Sequence, residues 1–224
     1  MRIVIINPNS DQNFTDTIAS SAVSVAAPGT EIRCLTTIGA PGFIENYKDE
    51  ILCAPLMMRL VEEWENKTDA FVIACTCDPN LTLLRELTDK PTLGAGECSM
   101  LLASVLGHRF SILQTTAHSV PMKRELVKKY GFSERCASVV AVDENTSASM
   151  EDKLYEAGRI AISRDGAEVL ALGCAGLAGL DARLRARLDV PVVDGVTASV
   201  KIAEAVVSSG NKTSKKGLYA SVEA

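Results

Sequence analysis

Asp69-Ala-Phe-Val-Ile-Ala-Cys75 and Gly166-Ala-Glu-Val-Leu-Ala-Leu-Gly-Cys174 carry the same pattern twice: a short aliphatic run that closes on a cysteine and a turn. Runs of this length, with no polar alternation, read as strands buried on both faces. Two further pairs follow the plan. Arg2-Ile-Val-Ile-Ile-Asn7 resembles Arg109-Phe-Ser-Ile-Leu-Gln114, and Lys90-Pro-Thr-Leu-Gly94 resembles Val190-Pro-Val-Val-Asp194. The members of each pair stand about a hundred residues apart, far beyond any solenoid period. The reading is two similar lobes in one chain.

Working outward, strands are expected at 2–6, 31–36, 70–75, 92–93, 110–113, 137–142, 168–173 and 192–193. Helical patterns fall between them, near 13–26, 47–65, 80–87, 98–106, 121–129, 149–164, 177–188 and 197–208. Strict alternation of strand and helix predicts parallel sheets. The expected fold is therefore α/β with two pseudo-symmetric lobes. Each lobe is a small, mainly parallel four-stranded sheet flanked by helices, and the active site lies in the cleft between them. Lobe 1 is read as 1–108, with the helix near 196–210 a candidate to pack back on it, and lobe 2 as 109–195. Residues 211–224, which include Lys212 and Lys216, read as a solvated tail able to lie on a neighbour.

Composition narrows the function. Of 224 residues, 47% are hydrophobic and only 4% aromatic, which excludes a disordered chain and favours an aliphatic core. The net charge of −5, with no basic stripe, argues against nucleic acid as a partner. No apolar run is long enough to span a membrane, and the start, Met1 to Pro8, reads as a first strand and not as a signal peptide. Seven scattered cysteines fit free thiols in a reducing cytoplasm better than a disulfide framework. Most are expected to fill the core.

Cys75 and Cys174 are the exceptions. Both are expected at the carboxyl end of a strand, where α/β sheets bind ligands. Asp78-Pro79 reads as an N-cap followed by proline at the first helical position, and Leu177, Leu180, Leu184 and Leu188 mark one helix face. Each sulfur would then sit near a helix N-terminus, a setting that lowers a thiol pKa. Two thiols facing one cleft suit proton transfer at a carbon beside a carbonyl. One thiolate removes the proton, the opposite thiol returns one to the other face, and no metal or organic cofactor takes part. Backbone N–H groups in the turns, including those of Ala175 and Gly176, would steady the enolate. Asn7 and Ser10 in the loop after the first strand, and Thr115 and Thr116 in the equivalent loop of lobe 2, are candidate substrate-binding groups; capping is their alternative role. The pair Cys75 and Cys77 has no histidine at ligand spacing, His108 and His118 read as structural, and C-x-C is not the usual dithiol motif. No metal site is expected.

At these residues the chain resembles the hydantoin and allantoin racemases of the aspartate/glutamate racemase superfamily. The resemblance runs nearly end to end. It is carried by Ile6-Asn-Pro-Asn-Ser10, the Cys75-x-x-Asp78-Pro79 turn, Gly96-Glu97, Leu106-Gly-His-Arg-Phe110, Leu172-Gly-Cys-Ala-Gly176, Pro191-Val-Val-Asp-Gly195 and Lys212-Thr-Ser-Lys215. It implies two α/β lobes, no cofactor, a homo-oligomer, a small-molecule substrate such as a hydantoin or related cyclic ureide, and Cys75 and Cys174 as the two bases. One departure stands out: the family commonly has Phe-Asp where this chain has Thr76-Cys77. Thr76, a further substrate-binding candidate, is nearer the pattern of the superfamily's amino-acid racemases.

The function expected is inversion at C5 of a 5-substituted hydantoin, allantoin included. An amino-acid racemase, or a one-cysteine relative of the arylmalonate decarboxylase or maleate isomerase type, is the alternative within the superfamily. A two-lobed small-molecule binding protein with structural cysteines is the alternative outside it.

Overall fold

In the computed structural model, which describes residues 1–220, strands and helices alternate from one end to the other. The first half runs β1 (Arg2–Asn7), α1 (Gln12–Val25), β2 (Glu31–Thr36), α2 (Tyr47–Trp64), β3 (Ala70–Ile73), α3 (Leu81–Leu87), β4 (Thr92–Gly94), α4 (Ala95–Leu106). The second runs β5 (Phe110–Gln114), α5 (Val120–Lys129), β6 (Cys136–Ala141), α6 (Met150–Asp165), β7 (Val169–Leu172), α7 (Asp181–Leu188), β8 (Val192–Val193), α8 (Gly195–Ser208). Two four-stranded sheets result, ordered β2-β1-β3-β4 and β6-β5-β7-β8. Every pairing is parallel, and the two orders are the same. The lobes are pseudo-symmetric, as the repeat implied.

Aliphatic runs become central strands here because both faces find cover. Ile3 and Ile5 pack on one side with Ile18 and Ala22 of α1, while Val4 and Ile6 pack on the other with Met57 and Val61 of α2. Side chains of Asp11, Asn46, Ser149 and Asp194 cap α1, α2, α6 and α8 by accepting free N–H groups of the first turns.

The last helix of each half crosses to the other half's sheet. Helix α8 packs against β3, β4, α1 and the reciprocal helix α4, and α4 leans on β5, β7 and β8. One continuous core therefore includes Ile3 and Val72 of the first sheet together with Phe110, Val169 and Val193 of the second.

Three local expectations are corrected. Asp78 does not cap α3. It adopts a left-handed backbone, φ 51°, as does Asn80, φ 59°, and α3 starts only at Leu81. Its carboxylate instead caps α4, accepting from Gly96 N at 2.8 Å and Glu97 N at 2.7 Å. Helix α7 starts at Asp181 and not at 177, because Ala175–Leu177 form a separate 3-10 turn. The tail, as far as residue 220, straps its own chain. Lys212 pairs with Asp89 at 2.6 Å, the Thr213 hydroxyl donates to Lys90 O, and Lys215 donates to Arg85 O and Glu86 O. The last four residues of that expected tail lie outside the described residues. Among those described, no helix is long and apolar enough to cross a membrane.

Candidate active site

The strands β1, β3, β5 and β7 all end at one cleft between the sheets, a space of about 600 Å³ up to its open mouth. Cys75 reaches it from lobe 1 and Cys174 from lobe 2. Each follows its strand by two residues, since β3 ends at Ile73 and β7 at Leu172. Asn7, Thr76, Thr115, Thr116, Ala175 and Gly176 also line the cleft, whereas Ser10 does not. Ser10 is spent on the loop, its N–H donating to Pro41 O at 3.1 Å.

The two cysteine turns are tied together. The Thr76 hydroxyl donates to the carbonyl of Gly173, so the side chain expected to meet substrate instead joins the lobes. A Cβ at Gly173 would lie 2.5 Å from Leu113 O and from Gln114 Nε2, which leaves glycine as the residue that fits. On the other side, a Cβ at Gly96 would strike the Thr76 carbonyl. That carbonyl accepts from the Lys123 ammonium of α5. Tyr130 adds a second brace from lobe 2, its hydroxyl donating to Asp78 Oδ2 at 2.7 Å.

Repeat-equivalent positions have different fates. Asn7 ends β1 and Gln114 ends β5. The Asn7 amide donates to Asn9 Oδ1, Asp11 O and Thr15 Oγ1 at 2.8, 3.1 and 3.0 Å, so it organises the loop and has no N–H left for a ligand. Gln114 accepts from Ser119 Oγ at 3.0 Å, but its buried Nε2 has no partner among the described residues. A buried amide donor without an acceptor is costly, and such groups mark ligand sites. Gln114 opens the loop Gln114-Thr115-Thr116, which the repeat aligns with the Asn7 loop as a candidate for binding ligand. Phe14 and Phe43 were missed. Their rings meet at 5.7 Å over the cleft, and Phe14 lies so close to Gly176 that a Cβ there would strike it. Asn9, Ile44 and the rim carboxylate Glu45 complete that wall.

The expected helix-dipole activation of the thiols does not arise. Cys75 stands six residues before α3, and Cys174 precedes only a 3-10 turn. The Cys174 thiol is pushed up by burial, against which the N–H groups of Gly176 and Leu177 favour its thiolate. The Cys75 thiol is pushed up by its hydrogen bond to Cys77 and by burial. Cys77 goes the other way, down to about 6, because Cys75 donates to it and Lys123 faces it. Adjacent Cys75 and Cys77 therefore titrate as a pair that carries one negative charge near neutral pH. Main-chain N–H groups of Cys75, Thr76, Cys174 and Ala175 have no protein acceptor among the described residues. The cleft thus offers thiols from both lobes, a shared negative charge and unspent donors, the parts that carbon-acid chemistry needs.

Residues 3–203 match the Asp/Glu/Hydantoin racemase family. The chain is 39% identical over 228 residues to a hydantoin racemase of Paenarthrobacter aurescens, covering 98% of this chain and 96% of that one. It superposes on an allantoin racemase from Klebsiella pneumoniae with a TM-score of 0.94 at 38% identity, covering 100% of this chain and 94% of the other. A glutamate racemase of Bacillus anthracis shares the fold, with a TM-score of 0.68 at 14% identity over 93% of this chain and 82% of that one. With the repeat, the twin sheets and the paired cysteine turns already in place, this chain belongs to the Asp/Glu/hydantoin racemase family of isomerases.

Proposed function

We propose that this chain is a cofactor-independent racemase that inverts C5 of a 5-substituted hydantoin, allantoin included, with Cys75 and Cys174 as the two bases. The observation that carries the reading is the shared cleft: one thiol enters it from each lobe, from turns at equivalent places in two similar sheets. One thiolate removes the C5 proton, the charge moves onto the ring carbonyl, and the opposite thiol protonates the other face. The Gln114 amide and the free main-chain N–H groups are the donors for that charge. Amides, hydroxyls and the Phe14 and Phe43 rings dominate the described lining, whose negative groups are Glu45 and the Cys75–Cys77 pair and which holds no Lys or Arg. That surrounding suits a neutral ring better than a dicarboxylate, and so favours a cyclic ureide over aspartate or glutamate. A homo-oligomeric state and a cytoplasmic location belong to the same proposal.

Single enantiomers of a small hydantoin panel, with allantoin and aspartate included, test the reading by NMR in D₂O with optical rotation followed in parallel. Deuterium entering C5 as rotation decays supports it. Exchange with rotation retained refutes the paired mechanism, and exchange on aspartate alone refutes the substrate class.

A further inference from the structure

Lys123 is 1% exposed, yet among the described residues its ammonium has no carboxylate partner. Its contacts are the Thr76 carbonyl and Cys77 Sγ at 4.0 Å. A buried ammonium calls for an anion, and the contacting group able to become one is the Cys77 thiol. Cys77 is also a partition. It lines the catalytic cleft on one side and, on the other, an open rear cavity of about 1020 Å³ up to its mouth, lined by α2, α3 and α5. Finally, a two-thiol exchange needs one thiolate at rest, and neither Cys75 nor Cys174 sits at a helix start that would supply it.

We propose that Cys77, held as a thiolate by Lys123, ionises Cys75 by accepting its proton, and that the rear cavity is the route by which that proton exchanges with solvent. The inference rests on Cys75 and Cys174 being the two bases. In the first step the proton on Cys75 Sγ passes to Cys77 Sγ: one S–H bond breaks, one forms, and the charge stays in the same turn beside Lys123. Cys75 then takes the proton from substrate carbon, and Cys174 gives its own to the opposite face. Cys75 and Cys77 are now protonated and Cys174 is the thiolate. Loss of the Cys77 proton to the rear cavity and uptake of one by Cys174 from water in the emptied cleft restore the starting state. Lys123 is a positioning residue in this scheme. Facing Cys77 are Cys75 and Asp78 from its own turn, Glu50 from α2, Lys123, Glu125 and Lys129 from α5, and Cys174 from the other lobe. Glu50, pushed up to about 7 by burial and by Cys77, is suited to carry protons across the rear cavity at neutral pH.

The test compares wild type with Cys77→Ser, Cys77→Asp and Lys123→Met in two assays. The ultraviolet absorbance of thiolate is titrated without substrate, and kcat/KM for a panel hydantoin is measured against pH. In wild type a thiolate signal appears with a midpoint near 6. It disappears in Cys77→Ser and moves to higher pH in Lys123→Met. Cys77→Ser, nearly isosteric, lowers kcat/KM by about tenfold or more and shifts its acidic limb upward. Cys77→Asp restores the limb, because a carboxylate can hold the charge. A Cys77→Ser protein with wild-type absorbance and an unshifted limb overturns the inference. Cys75→Ser and Cys174→Ser in the same assay separate the two failures. If both are inactive while Cys77→Ser is unimpaired, only this inference falls; if either keeps wild-type turnover, the two-base reading falls with it.

Discussion

The Thr76 hydroxyl donates to the carbonyl of Gly173, so the residue after one cysteine is bonded to the residue before the other. The bond crosses from lobe to lobe at the floor of the cleft and is buried. It ties the Cys75 turn directly to the Cys174 turn.

Thr76→Val removes that donor and leaves a buried carbonyl unpaired, at a cost of about 1–3 kcal/mol. Stability is expected to fall by that amount in urea titration, and kcat by more than KM rises, because the thiols lose their spacing. Thr76→Ser keeps the hydroxyl and is expected to stay near wild type in both.

Gln114→Leu is expected to separate activity from stability. The variant deletes an unpartnered buried donor, and the Ser119 hydroxyl that Gln114 accepted from keeps Thr116 O as its acceptor, so the melting temperature is expected to hold. Turnover falls by about 100-fold if Nε2 serves the enolate. Calorimetry and steady-state kinetics on one preparation decide it. A drop in melting temperature with normal kcat would assign Gln114 to the scaffold.

Asn7→Ala inverts this pattern. Four hydrogen bonds of a buried amide disappear, three donated by Nδ2 and one accepted by Oδ1 from Asn9 N, and a loss of about 2–3 kcal/mol in unfolding free energy is expected. Ser10→Ala, outside the cleft, is expected to change neither KM nor kcat.

Asp78 gives stability a pH signature. Burial pushes its carboxyl up to about 6, against the Tyr130 and Gly96 donors. The folded protein therefore holds this proton more tightly than the unfolded chain does. The contribution to stability is full below about pH 4 and is lost as pH rises to about 6, with a slope of at most about 1.4 kcal/mol per pH unit. Chemical denaturation of wild type and Asp78→Asn across that window checks it. The difference in slope should vanish above the window.

The architecture was legible because it is local and repeated. Aliphatic runs of strand length mark both sheets, and the second occurrence of each run fixed the lobes. The placement of Cys75 and Cys174 at one cleft was legible for the same reason. What the residues did not reveal depends on distant partners. Asn7 and Gln114 are equivalent by repeat, but only the Asn7 loop brings acceptors such as Asn9 and Thr15 to its amide. Asp78 has the sequence of a helix cap; the helix it caps begins at Ala95 and not three residues on. Lys123 carries no local mark in the sequence, because the Thr76 carbonyl that receives its ammonium lies 47 residues away.

The crossed helices α4 and α8 set the order in which the molecule can be finished. Strands β3 and β4 are complete by Gly94, but the helix that covers part of their sheet begins at Gly195. During synthesis the first sheet must wait, one face partly bare, for about a hundred further residues to be made, at roughly 5–20 residues per second. Helix α8 is thus a late part of the frame that holds the two sheets together, although none of its residues lines the cleft between Cys75 and Cys174. A chain stopped short of α8 would be not a half-active lobe but an unfinished surface, open to chaperones and proteases.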